Sequence, residues 1–182
     1  MPSDMLHPDE ALRIVLEDLP APRLEEVALA DALGRAMPEP VLARIDQPPF
    51  DKSAMDGFAF AAPAGAAAPA ASGAGGDAVW RVVSLVAAGA EAGAPLGPGD
   101  CARIMTGAPL PAGANAVQRV EWTEGAGRDA EGHEFVRFSR PETVSNVISR
   151  GENQRSGSIL IGPRVLRAQD IGILASDGQA RV

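Results

Sequence analysis

Tyrosine is absent from this 182-residue chain, and cysteine and lysine each occur once. The single cysteine, Cys101, excludes an internal disulfide and suits a reducing cytoplasm. With five Phe, two Trp and no Tyr, a base-stacking surface has little to work with. Basic charge is short as well: 16 Lys+Arg stand against 24 Asp+Glu, a net charge of −8. No basic patch follows, which argues against nucleic acid and anionic membrane surfaces as partners. No apolar run approaches the ~20 residues of a membrane span. The first ten residues carry acid and proline instead of a basic segment followed by an apolar one, so no signal peptide is visible. His7 and His133 lie far apart, and paired Cys/His spacing is missing, so there is no zinc signature. Neither a Walker loop nor a dinucleotide fingerprint is present.

What the chain does have is glycine (20) and proline (16), together about a fifth of its residues, against an average of roughly 12%. Such a chain turns often, which favours short strands and loops over a helical bundle. With 46% hydrophobic and 22% charged residues it can bury a core as one large domain or two small ones. Pro8, Asp9 and Glu10 open a helix over 8–19, with Leu12, Val15, Leu16 and Leu19 on one face and Pro20 as its stop. A strand at 26–29, a brief helix at 30–33 capped by Gly34, and a strand at 41–45 follow. Residues 61–76 read AAPAGAAAPAASGAGG, a surface loop by composition. Beyond it, β-like runs at 79–86, 101–105, 116–122 and 134–138 alternate with turn residues, the rhythm of a small antiparallel β domain. A strand at 158–161 and a helix at 168–175, followed by Gly178, come last. The final two residues resemble the start of a strand with nothing to pair with.

Three segments can carry chemistry. In PPFDKSAMDGFA (48–59), two carboxylates, a hydroxyl and an ammonium fall within six residues. Asp51 and Asp56, five apart on a loop, can converge on a hard cation such as Mg²⁺, which keeps waters and needs only one or two protein oxygens. The plain alternative is a proline-led turn in which Asp51 caps backbone N–H groups. In RIMTGAPLP (103–111) a strand runs into Thr106 and Gly107, whose hydroxyl and amides can meet an oxyanion; an ordinary strand-to-turn junction is the alternative. In SRGENQR (149–155) two arginines near a glycine can hold an anion, or form a solvated loop with a surface ion pair. Ser53 has no histidine base nearby, so a nucleophilic serine is unsupported. Cys101 sits in a predicted strand and reads as a small buried apolar residue.

In that order these segments, together with RGEN followed by GSIL, and DIGILASDG, resemble the N-terminal half of the molybdopterin molybdenumtransferase family (MoeA and the E domain of gephyrin). The similarity runs from the first helix to Val182. The resemblance implies a mainly β fold with a few short helices. It is elongated, with two β-rich bodies, one inserted in the other: a discontinuous domain I at 1–49 and 142–182, and an inserted domain II at 50–141. It also implies a role in molybdenum cofactor biosynthesis, inserting molybdate into adenylated molybdopterin with release of AMP and with Mg²⁺, in a cytoplasmic homodimer. The pterin-binding domain and the fourth domain of the family have no counterpart in this chain and would have to act in cis or in trans. The complete site is therefore not expected from this chain alone.

Carried over by position, Asp56 and Thr106 match catalytic cleft positions. Asp56 would hold the metal or orient a water, and Thr106 would donate to a phosphate or molybdate oxygen. Ser53, Gly107, Arg150 and Glu152 are the substrate- and cofactor-binding candidates. The chain departs from the family at Lys52, where Asn is usual, at Asn153, where Asp is usual, and at Ile148, where Arg is frequent. Three readings remain open: a part of a molybdenumtransferase, a non-catalytic dimerisation or scaffold module with the same fold, and an independent small-anion or metal-binding protein.

Overall fold

The computed structural model describes residues 6–20, 23–62, 79–140 and 142–182. Most of the loop expected at 61–76 lies outside the described residues. In chain order the elements begin with α1 (Pro8–Glu17), a 3-10 turn (Leu29–Asp31), β1 (Ala36–Met37), β2 (Val41–Leu42), β3 (Lys52–Ser53) and β4 (Gly57–Phe60). Then come β5 (Val79–Val86), β6 (Asp100–Ile104), β7 (Ala116–Arg119), a second 3-10 turn (Val120–Trp122), β8 (Thr123–Arg128) and β9 (Glu134–Phe138). The last are β10 (Val147–Ile148), β11 (Ile159–Ile161), β12 (Arg164–Val165) and α2 (Ala168–Ser176). The fold is mainly β with two short α-helices. Among the described residues no helix is long and apolar enough to cross a membrane.

The chain falls into two compact units, 37–164 and the pair of segments 1–36 and 165–182. The larger unit holds a six-stranded sheet in the order β7-β4-β6-β5-β9-β8, wholly within residues 57–138. It also takes in residues 37–49 and 142–164, because β2 pairs with β11 and β3 with β10. The sheet is not purely antiparallel. β5 and β6 run parallel, joined by residues 87–99, about the dozen residues a parallel crossover needs. Strand β4 lies between β6 and β7 and all four of its residues are buried. Alternation along it turns Phe58 and Phe60 to one face and Ala59 to the other. On the first face Phe58, Phe60, Trp80, Cys101, Val136 and Phe138 form one buried cluster. Four of the chain's seven aromatics meet there, with Phe60 5.1 Å from both Trp80 and Phe138. On the second face Ala59, Val86, Ala102, Ile104, Ala108 and Val117 form another. Cys101 is fully buried, and desolvation first, then the nearby Asp100 and Glu134 charges, push its thiol up to about 12. It is a packing residue with no thiolate to offer.

The smaller unit is held by backbone pairing and a thin core. Val27 and Val182 exchange both amide hydrogen bonds, at 2.8 and 3.0 Å, and Leu29 N–H donates to Ala180 O at 3.0 Å. The last two residues therefore do find a partner. It is the 26–29 segment, which forms an isolated bridge, Ala28 to Arg181, instead of the expected strand. Among the described residues Ala32, Leu166 and Leu174 are its buried apolar residues. Helix α2 is capped by Asp170, whose carboxylate accepts from Arg167 N–H at 2.9 Å, and Gly178 takes the left-handed conformation just beyond its end (φ 78°). Helix α1 ends two residues earlier than expected and buries none of its own residues.

Candidate functional site

Asp56 immediately precedes β4, and the register of that strand decides its surroundings. Gly57 pairs with Ile104 on β6, so the turn after β6 comes level with Asp56. On the other side Gly57 pairs with Arg119 on β7, and Val120 N–H donates to Asp56 O at 3.0 Å. Residues about 50 and 60 positions apart in sequence thus converge because one interior strand pairs on both edges. The approach of β7 demands glycine at 57. A Cβ there would lie 1.9 Å from Gln118 O, a backbone atom that cannot move aside.

The result is a pocket of about 320 Å³ lined by Ala54, Met55, Asp56, Thr106, Arg119 and Glu121. One carboxylate oxygen of Asp56, Oδ1, accepts from both the backbone N–H and the hydroxyl of Thr106, each at 2.7 Å. These two bonds, the backbone one foremost, hold the Asp56 carboxyl below its ordinary pKa. Among the described residues Oδ2 has no hydrogen-bond partner. Thr106 has one hydroxyl proton and gives it to Asp56. In this arrangement it positions the carboxylate. The neighbouring amides are also engaged, Gly107 N–H with Ser53 O at 2.8 Å and Ala108 N–H with Met105 O at 3.0 Å. No free backbone nest for an anion remains at this turn.

Of the other candidates, none lines this pocket. Ser53 is buried, and its hydroxyl donates to Met55 O and accepts from Met55 N–H, closing a local turn. Gly107 takes φ 82°, the reason a glycine stands there, and its amide is spent as described. Arg150 and Glu152 lie in a separate turn. Arg150 Nε donates to Asp46 Oδ2 at 2.6 Å, and Glu152 Oε2 accepts from Ser149 N–H at 2.8 Å. Asp46 also accepts from Ser156 N–H at 2.9 Å; that bond first, then Arg150, holds its carboxyl below the ordinary value. Asp51 does not converge with Asp56. Its Oδ1 accepts from Arg150 N–H at 2.7 Å, so it ties this second turn to β3. Two of the departures from the family pattern are direct neighbours, since Lys52 and Ile148 are register partners across β3 and β10.

Two residues of this region carry no signal in the sequence reading. Arg119 donates from Nε and Nη2 to Glu142 Oε1 and Oε2 at 2.8 and 2.9 Å, and Arg119 N–H also donates to Oε1 at 3.0 Å. Its guanidinium carbon lies 3.9 Å from the centre of the Trp122 ring. The Glu142 side chain is fully buried. Burial pushes its carboxyl up, but the Arg119 hydrogen bonds outweigh that and leave it below the ordinary glutamate value. An arginine followed three residues later by a tryptophan is the only local hint, and the partner glutamate is 23 residues further along.

The donor set of the pocket suits a hydrated divalent cation and not a closed cage. Asp56 Oδ2 is free and Glu121 lines the same wall, which matches the one or two carboxylates by which Mg²⁺ is commonly held among its waters. The only cluster of three or more ligating side chains among the described residues is elsewhere, at Asp129, Glu131 and His133 on the β8–β9 turn. His133 there is paired with Asp129 at 2.9 Å.

Comparison with known proteins adds to this geometry. The family model for the MoeA N-terminal region (domain I and II) matches residues 6–178. The molybdopterin molybdenumtransferase of Bacillus subtilis (strain 168) is 36% identical over 177 residues, 96% of this chain and 40% of that protein. Molybdopterin molybdenumtransferase 1 of Mycobacterium tuberculosis (strain ATCC 25618 / H37Rv) is 31% identical over 175 residues, 89% of this chain and 40% of that one. Among solved structures, a molybdopterin biosynthesis MoeA protein from Pyrococcus horikosii superposes with a TM-score of 0.77 at 30% identity. It covers 96% of this chain and 42% of that one. The chain spans about two fifths of the length of the relatives it matches.

Proposed function

The chain belongs to the molybdopterin molybdenumtransferase family as its N-terminal region, and from that premise we propose that it serves molybdenum cofactor biosynthesis. In this reading it supplies one wall of a cleft in which molybdate enters adenylated molybdopterin and AMP leaves. A pterin-binding domain outside this chain supplies the rest, in cis or in trans. The observation that carries the proposal is Asp56. Its carboxylate is fixed through Oδ1 by two hydrogen bonds from Thr106, kept ionised, and left with Oδ2 unpartnered at an open pocket. That is the form a carboxylate needs to hold a hydrated cation or to orient a water. A bound Mg²⁺ would supply charge neutralisation at a phosphate. Asp56, with Glu121 beside it, is the residue that would hold it. The same proposal carries the expectations of an isologous homodimer, a cytoplasmic setting and the domain division at 50–141.

A second reading rests on the turn at 149–155. There Arg150 pairs with Asp46, while Asp46 and Glu152 each accept from a local backbone N–H. A turn satisfied in this way serves a scaffold as well as it serves an active site, and a non-catalytic dimerisation module remains the alternative.

The deciding experiment is a molybdenum-insertion assay with adenylated molybdopterin, molybdate and Mg²⁺. It is run on this chain alone and on its mixture with the separate third-and-fourth-domain half of a relative, after binding of the two halves has been checked. Activity is expected only in the mixture. Asp56→Ala should reduce it by at least about a hundredfold, on the order of the loss of one electrostatically stabilising group from a site. Insertion that survives Asp56→Ala refutes the catalytic reading. Silence from two halves that do bind favours the scaffold.

A further inference from the structure

Among the described residues Arg119 is the one cation lining the Asp56 pocket, and its setting is unusual for a surface arginine. Its Nε and Nη2 edge is occupied by a fully buried carboxylate, and its plane is covered on one side by Trp122 at 3.9 Å. About a quarter of the side chain (26%) stays exposed. Among the described residues Nη1 makes no hydrogen bond. Burying a carboxylate is costly, and a buried ion pair seldom stabilises a fold more than apolar residues of the same volume would. What such a pair does provide is position. The fork on Glu142 and the stack on Trp122 leave the guanidinium little freedom to rotate, so its remaining donors are pre-organised.

We propose that Arg119 is the oxyanion-contacting residue of the Asp56 pocket, with Nη1 aimed at an oxygen of a phosphate- or molybdate-type anion and Glu142 and Trp122 as its positioning residues. This rests on reading the Asp56 pocket as a place of oxyanion chemistry. The opposite charge arrangement gives the proposal a second feature. Asp56 and Glu121 put two carboxylates on the same pocket, and Glu142 already neutralises the guanidinium. A bare anion meets net repulsion there, so the anion binds together with a divalent cation held at Asp56. Arg140 lies over the same tryptophan, at 4.8 Å, but does not line the pocket. It serves as an internal control.

The test uses the chain as it is, without the insertion assay. Inorganic phosphate, molybdate and AMP are each titrated with and without Mg²⁺, and two signals are followed: tryptophan fluorescence, to which Trp80 contributes beside Trp122, and the Arg119 Nε–H resonance by NMR. Saturable binding of at least one anion in the presence of Mg²⁺ is expected, with a shift of the Arg119 resonance. If only AMP binds, the anion is a nucleotide phosphate; if molybdate competes with phosphate, the shared tetrahedral oxyanion is recognised. Arg119→Lys and Glu142→Gln should each weaken binding by about tenfold or more, since lysine cannot rebuild the planar fork and glutamine loosens it. Arg140→Lys should leave binding unchanged. The inference is overturned if wild-type chain binds none of the three with Mg²⁺, if the Arg119 resonance stays still at saturation, or if Arg119→Lys binds as wild type does. The NMR signal comes from the unmodified protein, so a variant that fails to fold does not blunt the test. Retained insertion in Asp56→Ala would fail the functional reading instead, by a separate measurement.

Discussion

Glu142 has no solvent exposure, yet its carboxyl is held below the ordinary value of 4.5. Burial alone would raise it, so the charge survives because Arg119 donates to both its oxygens and adds a backbone N–H, with a smaller contribution from the Asn146 side chain. A depressed folded-state value contributes stability that is fully present above the ordinary glutamate range and is lost as pH falls through the lower folded value. Glu142→Gln should therefore be less stable than wild type near pH 7, and the gap should narrow as the medium is acidified below the carboxylate range. Urea midpoints measured for both proteins across that interval test this, and a gap independent of pH would show that the pair does not titrate as described. The residue scale is also where the sequence was least legible. Asp56 and Thr106 could be singled out from their motifs, but Arg119 and Glu142 could not, because nothing local marks a pair 23 residues apart. Asp51 was legible only as a carboxylate in the right segment; its use, on Arg150 N–H, depends on a contact 99 residues away.

At the scale of elements, β4 holds the site together. Gly57 pairs on both edges and admits no side chain toward β7, where Gln118 O would stand 1.9 Å from a Cβ. Gly57→Ala must therefore push β7 away from β4, and with it Arg119 from Asp56. A loss of about 4 kcal/mol or more is expected, in the range reserved for backbone clashes and other large defects, and chemical denaturation measures it. A variant within 1 kcal/mol of wild type would mean that β7 can shift freely. This strand was hidden in the sequence for a physical reason: Gly-Phe-Ala-Phe is buried on both faces and shows no polar alternation. Strands β5 and β9 were readable to the residue, because each is rich in β-branched or aromatic side chains. Strand β8 was not, since Thr-Glu-Gly-Ala-Gly-Arg looks like a turn and is a strand only through its pairing with β9. The parallel run of β5 beside β6 is likewise a matter of topology, which local pattern does not carry.

At the scale of the whole chain, the two units differ in what holds them. The larger is continuous in sequence and contains both buried clusters, with four aromatics in contact. The smaller is made of the two ends of the chain, and among the described residues its buried apolar residues are few: Ala32, Leu166 and Leu174. Apolar burial of roughly 25 cal/mol per Å² is the main stabilising contribution, so the free energy of opening should differ between them. Native-state hydrogen exchange is the direct measurement. The amides of Phe58, Ala59 and Phe60 on β4, a buried interior strand paired on both edges, should exchange only through the largest opening. The amides of Val27, Leu29 and Val182, which tie the two ends together through the hydrogen bonds to Val182 O, Ala180 O and Val27 O, should exchange through a smaller one. The distinction also bears on the half-enzyme experiment, because a smaller unit that opens on its own can do so while the wall formed by Asp56, Thr106 and Arg119 stays folded. Truncation at residue 36 and at residue 165 should then leave the β4 amides protected and the Arg119 resonance in place. A single exchange free energy shared by both sets of amides would show instead that the chain folds as one cooperative body, and that the site depends on the ends as much as on the sheet.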